Sequence, residues 1–183
     1  MTFAKLSLSV AAFALMAGAA LAENPMVGGA AMFEDKNIVE NAVNSADHTT
    51  LVAAVTAAGL VETLQSAGPF TVLAPTNEAF AKLPAGTVDT LLKPENKDML
   101  VKILTCHVIA GNAMSSDIVG MIEADGGKHV VETVGGCKFT LSSMDGKVMI
   151  TDEMGNMGTV TIADVKQSNG VIHVIDTVLL PKM

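Results

Sequence analysis

Hydrophobic positions change their period near the middle of this chain. Before Cys106 they recur at helical spacing: Leu51, Val52 and Val55 share one face, as do Met99, Leu100, Ile103 and Leu104. The spacing predicts a helix over 37–43 and a second one capped by Asp47 or Thr49 and stopped at Gly59. A short helical turn follows through Leu60, Val61 and Leu64, then small helices from Thr87 to Leu92 and from Pro94 onward. One apolar strand, Phe70 to Ala74, interrupts this half; Pro75 breaks it, and Thr76 or Asn77 is placed to cap a helix that buries Phe80 and Leu83.

After Cys106 the pattern alternates. It predicts strands at Cys106–Ile109, His129–Val134, Cys137–Ser142, Lys147–Thr151, Thr159–Val165 and Val171–Leu179, with one Ser116-capped helix around Ile118–Ile122. Gly135-Gly136, Asp145-Gly146, Gly155-Asn156 and Asn169-Gly170 mark the turns between them. Helices first and strands second describe an α+β domain, a helical layer packed on a β-region. The early strand at Phe70 must then pair with strands distant in sequence.

At the N-terminus a single lysine, Lys5, precedes an uncharged apolar run that closes on Ala20-Leu21-Ala22, the pattern of a secretory signal peptide over residues 1–22. The run is short for a membrane span. Residues 23–32, rich in Gly and Ala and without a period, read as a flexible leader, and residues 33–183 as one domain. The expected product is exported, periplasmic or secreted, without stable membrane insertion.

Composition removes several function classes. Formal net charge is −8 and the sequence contains no Arg, Trp or Tyr, so it lacks both the bidentate phosphate fork and the main stacking rings that nucleic-acid binding uses. An acidic chain is also repelled by anionic lipid. Two cysteines, Cys106 and Cys137, read as a disulfide in an exported protein, with two buried thiols as the alternative. The chain carries no G-x-S-x-G elbow, H-E-x-x-H, phosphate loop or dinucleotide fingerprint. The acidic neighbours Glu34-Asp35 and Asp152-Glu153 would diverge on either a strand or a helix, so they read as solvated charge rather than an acid and base pair. No enzyme and no cofactor is expected.

Two blocks carry a family resemblance: Gly68 to Phe80, containing Phe70-Thr71-Val72-Leu73-Ala74-Pro75, and Asn169 to Pro181, containing Gly170-Val171-Ile172-His173-Val174-Ile175. Together they resemble the two defining blocks of the fasciclin domain, and the resemblance covers nearly all of Phe33 to Pro181. It implies a fasciclin-like fold and an extracellular adhesion or interaction module whose partner is a cell-surface or matrix protein or polysaccharide. The family usually places a Tyr-His pair between the blocks; here Cys106 stands for the tyrosine and His107 is kept. A motif described as integrin-recognising in some animal members, Asn-Lys-Asp-Ile-Leu, resembles Asn96-Lys97-Asp98-Met99-Leu100. The resemblance thus makes Asn96, Lys97, Asp98, Met99, Leu100 and His107 candidate partner-binding residues, against ordinary helix chemistry for the first five and a hydrogen-bonded core histidine for His107.

A rival reading is a small-molecule or copper carrier. Met144, Met149, Met154 and Met157 cluster in sequence and thioethers bind Cu(I), although methionine also fills cores. The histidines His48, His107, His129 and His173 show no local metal-ligand spacing.

Overall fold

The computed structural model describes residues 24–182; the expected signal peptide lies outside them. A hairpin of β1 (Met26–Val27) and β2 (Ala30–Ala31) comes first, then α1 (Ile38–Ala42), α2 (Thr49–Ala58), α3 (Val61–Gln65), β3 (Phe70–Pro75), α4 (Asn77–Ala81), α5 (Thr87–Leu91) and α6 (Lys97–Cys106). After β4 (Val108–Ala110) and α7 (Ser115–Ala124) the chain runs through β5 (Lys128–Glu132), β6 (Lys138–Met144), β7 (Lys147–Thr151), β8 (Met157–Gln167) and β9 (Gly170–Ile175).

Seven strands form one sheet in the order β4-β3-β9-β8-β7-β6-β5. The early strand finds its distant partner there: β3 pairs in parallel with β9, from Phe70 opposite Gly170 to Pro75 opposite Ile175, while the other neighbours are antiparallel. Both strands of this parallel pair are buried on both faces, which explains their unbroken apolar runs. On one face Val72, Ala74, Ile172 and Val174 meet Leu51, Val55, Ile103 and Leu104 of the helical layer. On the other, Leu73 and Ile175 continue into Phe139, Leu141, Ile150 and Val160, capped by Ile118 and Ile122 of α7.

The start of β9 crosses β3 so closely that only glycine fits: a Cβ on Gly170 would lie 2.0 Å from the Phe70 carbonyl oxygen. Gly170→Ala should therefore lower stability by about 2–3 kcal/mol, read as a reduced urea midpoint by circular dichroism.

Local signals set most helix ends. Asn37 and Glu40 form a capping box on α1, Gly59 ends α2 in the left-handed region at φ 74°, and Thr76 accepts from the Ala79 N–H to start α4. The start of α2 differs from expectation. A 3-10 turn, Ala46–His48, runs straight into it, and neither Asp47 nor Thr49 caps it; the Asn77 Oδ1 accepts from the Thr50 N–H at 3.0 Å instead.

Three further expectations are corrected. Cys106 is the last residue of α6 rather than the first of a strand, because the helix runs on until His107 turns the chain into β4. The last strand stops at Ile175, since Asp176 turns its carboxylate onto the Thr159 N–H at 2.8 Å. Residues read as a flexible leader are docked: Val27 and Met32 are buried, and the Ala46 N–H donates to the Gly28 carbonyl. Asn41, itself fully buried, clamps the Phe33 peptide from both sides, with Phe33 N–H to Oδ1 at 3.0 Å and Nδ2 to Phe33 O at 2.7 Å.

Candidate functional site

The residues that carried the family resemblance converge on the middle of the sheet. Cys106 and Cys137 are disulfide-bonded, with Cα atoms 5.4 Å apart, and tie the end of α6 to the turn between β5 and β6. That turn is also held by Gly135 N–H to Thr105 O at 3.0 Å and Val134 N–H to Val108 O at 2.8 Å.

His107 follows at once and is buried. The Leu179 N–H donates to its Nε2 at 3.0 Å, so the proton sits on Nδ1, which donates to the Ile103 carbonyl at 2.8 Å. Burial pushes its pKa down to about 4, against the opposing pull of the Ile103 carbonyl and of Asp152. The ring is a neutral crosspiece between α6 and the C-terminal segment.

His173 on β9 does the same elsewhere in the opposite tautomer. Its Nδ1 accepts from the Asp164 N–H at 3.2 Å, and its Nε2 donates to the Ala113 carbonyl at 2.8 Å. Burial lowers its pKa too, with the Ala113 carbonyl and Asp164 opposing. Opposite, on β3, the Thr71 hydroxyl donates to Gly111 O and accepts from Ala113 N–H. Asp164, in the left-handed region at φ 60°, accepts from the Ser115 N–H at 2.6 Å at the start of α7. One residue from each family block thus pins the loop over 111–115.

Asp152 overturns the reading of its pair as solvated charge. It is only 5 % exposed; its carboxylate accepts from the N–H groups of Met154 and Asn156, from Asn156 Nδ2 and from Leu180 N–H at 2.8–2.9 Å. It closes the β7–β8 turn and fastens the C-terminal segment. Glu153 beside it is exposed and accepts from Lys138 and Lys182 N–H, which lowers its pKa. Asn169 has a similar role, joining Ile38 N–H to the Leu64 and Ser66 carbonyls.

The six candidate partner-binding residues do not form one surface. Lys97, Asp98 and Met99 are exposed in the first turn of α6, Met99 at the edge of the buried stripe with 38 % exposure. Asn96 spends its amide on the Thr90 carbonyl at 2.7 Å. Leu100 and His107 are buried and belong to the interior, so they are corrected from docking to framework residues.

The methionines are not brought together either. Met144 lies at the β6–β7 end, whereas Met154 and Met157 lie at the β7–β8 end, separated by the length of β7, roughly 14 Å at strand rise. Met149 lies between, and its sulfur accepts from the Thr159 hydroxyl. His129 pairs with Asp125 at 2.7 Å on the surface. Among the described residues, no three His, Cys, Asp or Glu side chains are placed to hold a metal ion, and no helix is long and apolar enough to cross a membrane.

A surface that sequence reading did not single out is the outer face of β5 to β8. The helical layer covers this side of the sheet at β4, β3, β9 and the stretch of β8 around Ile162 and Val165. Beyond it, two cross-strand rows lie in register, Val130–Thr140–Thr151–Met157 and Lys128–Ser142–Met149–Thr159. Val130 is 57 % and Met157 55 % exposed, and Lys128 is the one charged residue in either row. The alternation of each strand was the available signal; the assembly of the rows depended on register.

Comparison with known proteins adds the context of this scaffold. The model of the fasciclin domain matches residues 46–181. Protein sll1483 of Synechocystis is 49 % identical over 161 residues, covering 88 % of this chain and 82 % of that protein. Cell surface glycolipoprotein MPB83 of Mycobacterium bovis is 38 % identical over 167 residues, covering 87 % and 68 %. Among solved structures, a FAS1 domain pair from the insect cell adhesion molecule fasciclin I superposes with a TM-score of 0.70 at 18 % identity, covering 79 % of this chain and 51 % of that one. The shared fold is α+β.

Proposed function

The chain belongs to the fasciclin domain family, and from that premise we propose that it is an exported adhesion or surface-interaction module that binds without catalysis, docking through the bare face of β5 to β8. The observation that carries this reading is the pair of nearly uncharged rows on an otherwise acidic chain. Val130, Met149 and Met157 lose little on desolvation and the hydroxyls between them can hydrogen-bond a partner, which is what the centre of an interface requires, while the Glu132–Lys138 pair next to them stands at the rim. A flat strand face fits a cell-surface or matrix protein or polysaccharide with a weakly charged patch of its own. The first turn of α6, with three exposed side chains including both signs of charge, offers a smaller and more strongly hydrated surface.

Two variants separate the surfaces. Val130→Asp with Met157→Asp places two carboxylates in the Val130–Thr140–Thr151–Met157 row and should reduce attachment of the producing cells to a protein-coated surface by about tenfold or more. Both sites are exposed, so the circular-dichroism melting midpoint should shift little. Lys97→Ala with Met99→Ala should leave attachment at the parent level. Parent-level attachment by the first variant, or loss confined to the second, would refute the assignment.

A further inference from the structure

The helical layer does not close on the sheet. A cavity of about 320 Å³ lies between α1, α2, α3 and the even-numbered face of β3 and β9, with the N-terminal hairpin at one side. Its wall is aliphatic, including Leu51, Val55, Val72 and Ile172. Val43, Thr56 and Gln65 also line it and are exposed, which puts its mouth between the three helices.

One buried polar atom on this wall lacks a well-formed hydrogen bond among the described residues. His48 is 3 % exposed; its Nδ1 lies 2.9 Å from the Ser45 hydroxyl, while its buried Nε2 completes no well-formed hydrogen bond among the described residues, although the Ala74 carbonyl lies near enough to the ring to oppose the lowering of its pKa by burial. The other buried imidazole on the wall, His107, has both nitrogens engaged, and the Thr56 hydroxyl donates to Val52 O. A buried polar nitrogen without a well-aligned partner recovers little of its lost hydration, so one carried by a residue on the wall of an apolar hollow marks a place for a ligand group.

We infer that this cavity binds a neutral, largely apolar alcohol, with its hydroxyl on His48 Nε2 and its hydrocarbon body against α2 and the sheet. A hydroxyl suits the nitrogen in either tautomer, as donor or acceptor. A carboxylate is disfavoured because no lysine among the described residues lines the wall. Size follows from volume: a dry apolar cavity of about 150 Å³ holds benzene, so this one holds roughly ten to twelve non-hydrogen atoms. The site is separate from the strand face proposed for docking and stands without it.

The test is a titration of the protein, carrying labelled methyl groups and histidine nitrogens, with 4-butylphenol, butylbenzene and 4-butylbenzoate at pH 7.5, followed by NMR. The phenol should shift the methyl signals of Leu51, Val55 and Val72 saturably and move the His48 Nε2 resonance; the benzoate should bind at least tenfold more weakly. In His48→Phe the phenol should lose about tenfold in affinity, while unchanged butylbenzene binding shows that the cavity survives the substitution. Absence of saturable shifts, equal phenol affinity in the variant, or tighter benzoate binding would each overturn the inference. So would nuclear Overhauser contacts in the ligand-free protein that place residues 1–23 in the cavity.

Discussion

His107→Leu should lower the free energy of unfolding by about 3–5 kcal/mol, the largest effect expected of a single substitution outside the disulfide. The isosteric loss leaves two groups without partners, the Ile103 carbonyl and the Leu179 N–H, and each buried orphan costs roughly 1–3 kcal/mol. The same ring makes the parent sensitive to acid. Its folded pKa of about 4 lies below its ordinary value of 6.5, so between those values the unfolded chain binds the extra proton and stability falls as pH falls. The contribution is complete above pH 6.5 and is lost on the way to pH 4; from pH 7 to pH 5 it amounts to roughly 2 kcal/mol. Urea titrations at the two pH values should show this loss in the parent and a correspondingly smaller one in the variant. His48 and His173, whose pKa values are also lowered by burial, keep part of the dependence in both proteins. A variant as stable as the parent, or with an unchanged pH slope, would refute the crosspiece role.

Removing the disulfide by Cys106→Ala with Cys137→Ala should cost about 3–4 kcal/mol. The bond spans 31 residues, and closing a loop of that length restricts the unfolded chain by this amount in the chain-entropy treatment. The loop contains β4, α7 and β5, so the bond also fixes the end of α6 against the turn over 133–137. The backbone contacts Gly135 N–H to Thr105 O and Val134 N–H to Val108 O remain in the variant. It should therefore keep the fold, with parent-like far-ultraviolet circular dichroism below a reduced urea midpoint. A midpoint equal to that of the parent would contradict the estimate.

The parts of this fold legible in the sequence are those whose causes are local. Phe70 to Pro75 and Gly170 to Ile175 are unbroken apolar runs bounded by Gly and Pro, and β5 to β7 alternate cleanly, so strands were readable there. Asn37, Gly59 and Thr76 announce helix ends within a turn of themselves. What escaped was long-range. Asn77 caps a helix that begins well before it in the chain, and Asp152 is buried because Leu180 reaches back to it. The hairpin over 26–31 looked unstructured because its order comes from Asn41 and the Ser45–Asp47 turn rather than from any period of its own. Of the six candidate contact residues, Leu100 and His107 failed for one reason: motif matching does not distinguish a side chain that faces a partner from one that faces the core. The outer rows of β5 to β8 and the cavity beneath α2 are products of register and imperfect packing, and neither leaves a mark on a linear pattern.

Underlying these points is the claim that His107 and His173 are framework: these two imidazoles hold the chain together, and recognition is left to uncharged surface and to the cavity with His48. Nitrogen NMR of the histidine rings tests this most directly. The account predicts His107 as the neutral Nδ1–H tautomer, unchanged from pH 7.5 to pH 5.5, and His173 as the neutral Nε2–H tautomer at pH 7.5, protonating below the ordinary histidine range, with couplings across the hydrogen bonds to Leu179 and Asp164. Protonation of either ring near pH 6.5, or exchange between tautomers, would show a solvent-reachable imidazole and contradict the claim.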